Sequence, residues 1–115
     1  SGARARGQSA AVPLGGGDDA KQSRKMAIQY FNRGIALDAK GQHDDAIEMY
    51  SKALSIDPTH VGSYTNRGVS YINKKDYDKA IENFRRACEL NPSDANNFVN
   101  VGVAYANKKD YRHAL

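Results

Sequence analysis

The stretch Tyr30-Phe31-Asn32-Arg33-Gly34-Ile35-Ala36-Leu37 returns 34 residues later as Tyr64-Thr65-Asn66-Arg67-Gly68-Val69-Ser70-Tyr71. It returns again at the same interval as Phe98-Val99-Asn100-Val101-Gly102-Val103-Ala104-Tyr105. An aromatic, an Asn, a Gly and a large closing residue hold the same register each time. A fixed period of this length predicts a solenoid made from one repeated supersecondary unit. Such a unit is too small to bury its apolar face alone and must stack on its neighbours.

Within each unit the apolar spacing is helical. Tyr30, Gly34 and Leu37 fall on one face of a helix predicted over Ala27–Lys40, and Gly34 leaves room there for a second helix to approach. Gly41 stands where a left-handed helix terminus belongs. The return helix is predicted over His43–Ile56, with Ala46, Tyr50 and Ala53 facing inward. Asp57-Pro58 stops it, because a residue before proline is pushed out of the α region. The pattern then repeats over Val61–Lys74 and Tyr77–Leu90, with Tyr64, Gly68, Tyr71, Ala80, Phe84 and Ala87 inward and Asn91-Pro92 as the stop. Ala95–Lys108 is the third first-helix, and Asp110–Leu115 only begins its return. Asp76 and Asp110 are expected to cap the return helices, Gln42 less effectively. Six helical segments and no strand are expected.

Residues 1–17 are dominated by small side chains and have little to bury, so they are expected to be disordered. Asp18 or Asp19 is expected to cap a helix through Ala20–Met26. This divides the chain into an arm over 1–19 and a repeat domain over 20–115, with repeats at 27–60, 61–94 and 95–115. The chain begins at Ser1 and stops inside a motif, as a fragment would. The net charge of +4 is unevenly spread: residues 1–25 carry +3 and residues 26–115 only +1. Without a clustered basic face, nucleic-acid binding is not expected of the folded part. No apolar run approaches the ~20 residues that span a bilayer, so no membrane partner is expected. The one cysteine, Cys88, excludes an intrachain disulfide and fits a reducing compartment such as the cytoplasm.

The register Tyr30, Gly34, Leu37, Ala46, Tyr50, Ala53, Pro58, then Tyr64, Gly68, Tyr71, Ala80, Phe84, Ala87, Pro92, then Phe98, Gly102, Tyr105, Ala114, closely resembles the tetratricopeptide repeat family. Tyr or Phe stands in place of the family's opening Trp. The resemblance covers residues 27–115 and implies an all-α solenoid of helix-turn-helix units, two full repeats plus a truncated third.

Catalysis is not expected. His43 takes the place of Tyr77 and Tyr111 and reads as a packing or turn residue. His60 and His113 have no second His or Cys at metal-ligand spacing, so neither metal nor cofactor is expected. No nucleophile motif is present, and Cys88, in the place of Leu54, reads as a small buried thiol.

The opposite face of the first helices is more informative. Phe31, Asn32, Ile35 and Ala39 turn away from the paired helix, as do Thr65, Asn66, Val69 and Asn73, and Val99, Asn100, Val103 and Asn107. In a stacked array these residues are expected to line a groove for an extended peptide. Asn32, Asn66 and Asn100 form a ladder with the period of the repeat. A carboxamide carries both donor and acceptor and so suits a peptide main chain. The arrangement is similar to the asparagine ladder of the O-linked N-acetylglucosamine transferases, in the groove alone. The carboxylate clamp of another subfamily, which holds acidic chaperone C-termini, is not matched. Its positions here are Phe31, Ile35, Asn66, Asn96 and Asn100, and only Asn66 fits. Lys40, Lys74, Lys75, Lys108 and Lys109 form a basic strip that complements helix C-termini or meets an acidic partner at the rim. The expected function is a non-catalytic module that binds an extended peptide. The alternative is self-assembly through Phe98, Gly102 and Tyr105 of the unfinished third repeat.

Overall fold

The computed structural model describes residues 16–114. The disorder expected for residues 1–17 falls outside them up to residue 15, while Gly16 and Gly17 are helical and correct that expectation. The described residues form five helices and no strand: α1 (Gly16–Ala39), α2 (His43–Ile56), α3 (Val61–Asn73), α4 (Tyr77–Leu90) and α5 (Ala95–Ala114). Each packs against its sequence neighbours: α2 bridges α1 and α3, and α4 bridges α3 and α5. No helix among the described residues is long and apolar enough to cross a membrane.

The helix pairs close where a glycine meets a ring. A Cβ placed on Gly68 would lie 2.6 Å from Cε1 of Phe84, and one on Gly34 would collide with the ring of Tyr50. Only a residue without a side chain lets α1 approach α2, and α3 approach α4, this closely. Around these contacts Ala46, Tyr50, Ala53 and Leu54 of α2 are buried, as are Ala80, Ile81, Phe84, Ala87 and Cys88 of α4. Burying one large side chain such as Phe84 is worth ~1.5–3 kcal/mol. Desolvation pushes the thiol of Cys88 above its ordinary value, as expected of a packed thiol rather than a nucleophile.

The chain turns are made locally. Gly41 adopts φ +78° and closes α1. Asp57 N–H bonds back to Ala53 O at 2.8 Å, and the Asp57 carboxylate accepts from Thr59 N at 3.1 Å. His60 caps α3 through a ring nitrogen that accepts from Ser63 N, and Asp76 caps α4 by accepting from Lys79 N. Gln42 makes no side-chain cap bond. Two ion pairs recur with the repeat: Lys74 at the end of α3 meets Asp44 at the start of α2, and Lys108 meets Asp78 of α4 at 2.6 Å. Two of the five lysines of the basic strip therefore tie one repeat to the one before.

Two further expectations need correction. Five helices stand where six segments were expected, because α5 runs unbroken through Asp110, which is therefore no cap. Asn73-Lys74-Lys75-Asp76-Tyr77 and Asn107-Lys108-Lys109-Asp110-Tyr111 are the same five residue types. The first makes a turn with Lys75 at φ 65°, and the second is helix. A left-handed lysine costs roughly 1–2 kcal/mol. After Lys75 that cost is offset by the burial of α4. At the other end α1 starts at Gly16, so Asp18 and Asp19 lie inside it rather than at its cap. Phe98, Gly102 and Tyr105, expected to lack the inner face that covers the matching positions of the earlier repeats, are all exposed.

The glycines supply the test. Gly68→Ala should lower stability by about 1–3 kcal/mol through overpacking. At Gly102 an added Cβ meets nothing within 4 Å, so Gly102→Ala should be neutral or gain up to ~1 kcal/mol of helix propensity. Equal responses of the two variants in chemical denaturation would mean that the ring-on-glycine register is wrong.

Candidate functional site

The exposed face of α1, α3 and α5 carries the residues expected to line a groove, and the structure places them unequally. Asn32 is exposed, while Asn66 and Asn100 are half-buried. Ile35, Val69, Val99 and Val103 are open to solvent at 42%, 43%, 60% and 49% exposure. Asn73 is exposed and Asn107 half-buried. Phe31 is not a free lining residue. It wedges between α1 and α3, with its ring 4.8 Å from that of His60 and 6.0 Å from that of Tyr50. Thr65 is also engaged, donating its hydroxyl to Oδ1 of buried Asn97 at 3.2 Å, which ties α3 to α5.

Beneath this face lies a polar cluster that the sequence reading missed. Asp38, at the end of α1, is an acceptor for three side chains. Tyr50 of α2 donates its hydroxyl to Oδ2 at 2.7 Å. Ser70 of α3 donates to Oδ2 at 2.7 Å and lies 2.9 Å from Oδ1. His43 places Nδ1 2.8 Å from Oδ1. Tyr50 and Ser70 are buried, so Asp38 is their hydrogen-bond outlet at the junction of repeats one and two. His43 is thus a turn residue with a specific partner. One repeat later the matching positions are Ile72, Phe84 and Ala104, and they pack into the apolar core with Ala80 and Ile81. The sequence signal was joint: positions 38 and 70 turn polar in the same junction where position 50 gains a hydroxyl.

The cluster sets a buried tyrosine hydroxyl against a half-buried carboxylate. Burial, then the neighbouring Asp38, pushes the Tyr50 hydroxyl well above its ordinary value. Tyr50 therefore remains a proton donor. Because the folded value is raised, the folded state holds this proton more tightly. The resulting stability is full below the unfolded tyrosine value near ~10 and declines as pH rises above it. No group of three or more His, Cys, Asp or Glu residues suited to a metal occurs among the described residues.

A polar junction in the register of an apolar one makes a direct test possible. Asp38→Ile alone leaves the buried Tyr50 hydroxyl without an acceptor, with Ser70 falling back on Asn66 O, and should cost about 1–3 kcal/mol or more. Adding Tyr50→Phe and Ser70→Ala, which copies the junction of repeats two and three, should recover most of that loss. Urea denaturation of the single and triple variants checks this; a triple variant no better than the single would mean that the cluster is not the source of the loss.

Residues 27–60 and 62–94 match the tetratricopeptide repeat model. No curated protein matches the chain. Solved structures do. The second TPR of Spaghetti (RPAP3), bound to the HSP90 peptide SRMEEVD, is 25% identical with a TM-score of 0.72, over 82% of this chain and 94% of that one. The first TPR of the same protein, bound to the same peptide, is 26% identical with a TM-score of 0.71, over 78% and 73%. The Sgt2 TPR domain from Aspergillus fumigatus is 27% identical with a TM-score of 0.69, over 75% of this chain and 57% of that one. The repeat register, the ring-on-glycine contacts and these matches agree: the chain belongs to the tetratricopeptide repeat family.

Proposed function

We propose that the chain is a non-catalytic interaction module that holds an extended peptide on the exposed face of α1, α3 and α5. The observation that carries this reading is the ladder. Asn32, Asn66 and Asn100 recur at one position of three successive first helices, the first exposed and the other two half-buried, with exposed Ile35, Val69 and Val103 one turn on. Asn is a mediocre helix former, so three in register on an open face favour a binding role. Each amide suits the C=O and N–H of an extended main chain, and the aliphatic residues suit what projects between. The peptide-bound TPR structures support the same use of the fold.

The chemistry of the peptide differs from that in those relatives. SRMEEVD is acidic toward its end, and the clamp positions here are Phe31, Ile35, Asn66, Asn96 and Asn100, none of them cationic. Lys74 and Lys108 are occupied by Asp44 and Asp78. The favoured ligand is a neutral or apolar extended segment.

Replacing Asn66 and Asn100 together with Ala should weaken binding of such a peptide roughly tenfold, from ~0.5–1.5 kcal/mol per hydrogen bond, with the melting curve nearly unchanged. SRMEEVD itself should bind no better than a version with its acids made neutral. Tight binding of SRMEEVD that disappears when its C-terminal carboxylate is amidated would overturn this specificity.

A second reading, self-assembly through α5, rests on a different observation. Phe98 and Tyr105 are 53% and 43% exposed, and nothing lies over Gly102. Sedimentation across concentration separates the two: a chain that stays monomeric at high concentration rejects self-assembly.

A further inference from the structure

Three glycines stand at one register of the repeat, and two of them carry a ring. A Cβ on Gly34 would strike Tyr50 and one on Gly68 would strike Phe84, whereas one on Gly102 meets nothing within 4 Å. The open face around Gly102 runs along α5. At about 100° per residue, Ala95, Phe98, Gly102, Ala106 and Lys109 share one stripe, and all five are exposed. Asn97 and Ala104, on the opposite side of the helix, are buried. Bulk and hollow alternate along the stripe, with Phe98 standing between Ala95 and Gly102.

Charge divides along the same helix. Asp94 stands just before α5, and Lys109 and Arg112 stand near its end. By the same rotation these three fall to one side of Gly102, and Asp110 falls to the other. Asp94 accepts from Asn96 N at 3.0 Å. Asp94, Lys109 and Arg112 have no ion-pair partner among the described residues.

We infer that a second copy of this chain covers this face, α5 against α5 and antiparallel about a two-fold axis, with Phe98 of each copy seated on Gly102 of the other. This rests on the self-assembly reading above and deepens it. The contact repeats between chains the ring-on-glycine packing that closes each helix pair within the chain. A two-fold axis makes every contact twice. The antiparallel sense brings Asp94 of each copy within reach of Lys109 and Arg112 of the other. A parallel pair would instead set Lys109 beside Lys109 and Arg112 beside Arg112. The apolar stripe thus supplies the attraction, and the charges at its ends choose the direction.

Sedimentation across concentration, read on a few variants, tests this. Gly102→Leu fills the hollow without touching its own chain, since nothing lies within 4 Å of the added Cβ. It should abolish the dimer while the melting temperature of the dilute chain falls no lower. Asp94→Asn keeps the cap on Asn96 and removes the charge, and should weaken the dimer about two- to tenfold. In a Lys109→Glu, Arg112→Glu chain the same Asp94→Asn should strengthen the dimer, because Asp94 there faces acids. A spin label on His113→Cys, in a Cys88→Ala background, should find its two copies roughly 30–40 Å apart, against under about 20 Å in a parallel pair. A dimer that survives Gly102→Leu, an Asp94→Asn effect that keeps its sign, or a short label distance overturns the arrangement and leaves self-assembly standing. A chain that stays monomeric at high concentration overturns both.

Discussion

A ring packed against a glycine is the contact on which this structure depends. Tyr50 over Gly34 and Phe84 over Gly68 bring two helices so close that a single Cβ would intrude. That approach turns the rest of the first helix outward, so that Asn32, Ile35 and Val69 face solvent and Asn66 is half-buried. It also seats the small inward residues Ala46, Ala53, Ala80 and Ala87, all fully buried. The exposed face and the core are thus two sides of one packing choice, and a residue that widened the pair would disturb both.

The two repeat junctions solve the same geometric problem with opposite chemistry. Between repeats two and three, Ile72, Phe84 and Ala104 exclude water and ask for no partners. Between repeats one and two, Asp38, Tyr50 and Ser70 fill the same registers with a carboxylate and two hydroxyls. Hydrogen bonds of this kind contribute modestly when made and cost more when one partner is missing. The polar junction is therefore the more demanding of the two. It offers direction in return, since hydroxyl protons point and methyl groups do not.

Much of the fold was legible in the sequence, because it follows from spacing. The two return helices lie where Asp57-Pro58 and Asn91-Pro92 end them, and Gly41 takes the left-handed conformation its position called for. The Asp38 cluster was not legible in the same way. Its members are up to 32 residues apart, and each looks unremarkable by itself. Phe31 and Thr65 were read as open because helical periodicity gives the face of one helix, not what the next helix brings against it. Asn66 could be placed on its face from sequence, but its half-burial depends on the helices packed around it.

The twin pentapeptides, one a turn at Asn73–Tyr77 and one a helix at Asn107–Tyr111, carry a wider consequence. Any rule that looks only at those five residues must give the same answer twice and be wrong once. The instruction to turn is therefore written elsewhere, in the apolar side of Ala80, Phe84 and Ala87, which has value only once the chain has doubled back. The two backbone shapes are close enough in free energy for distant packing to choose between them. In this chain a loop is a by-product of the helix that follows it, and the helices hold the memory of where the chain bends.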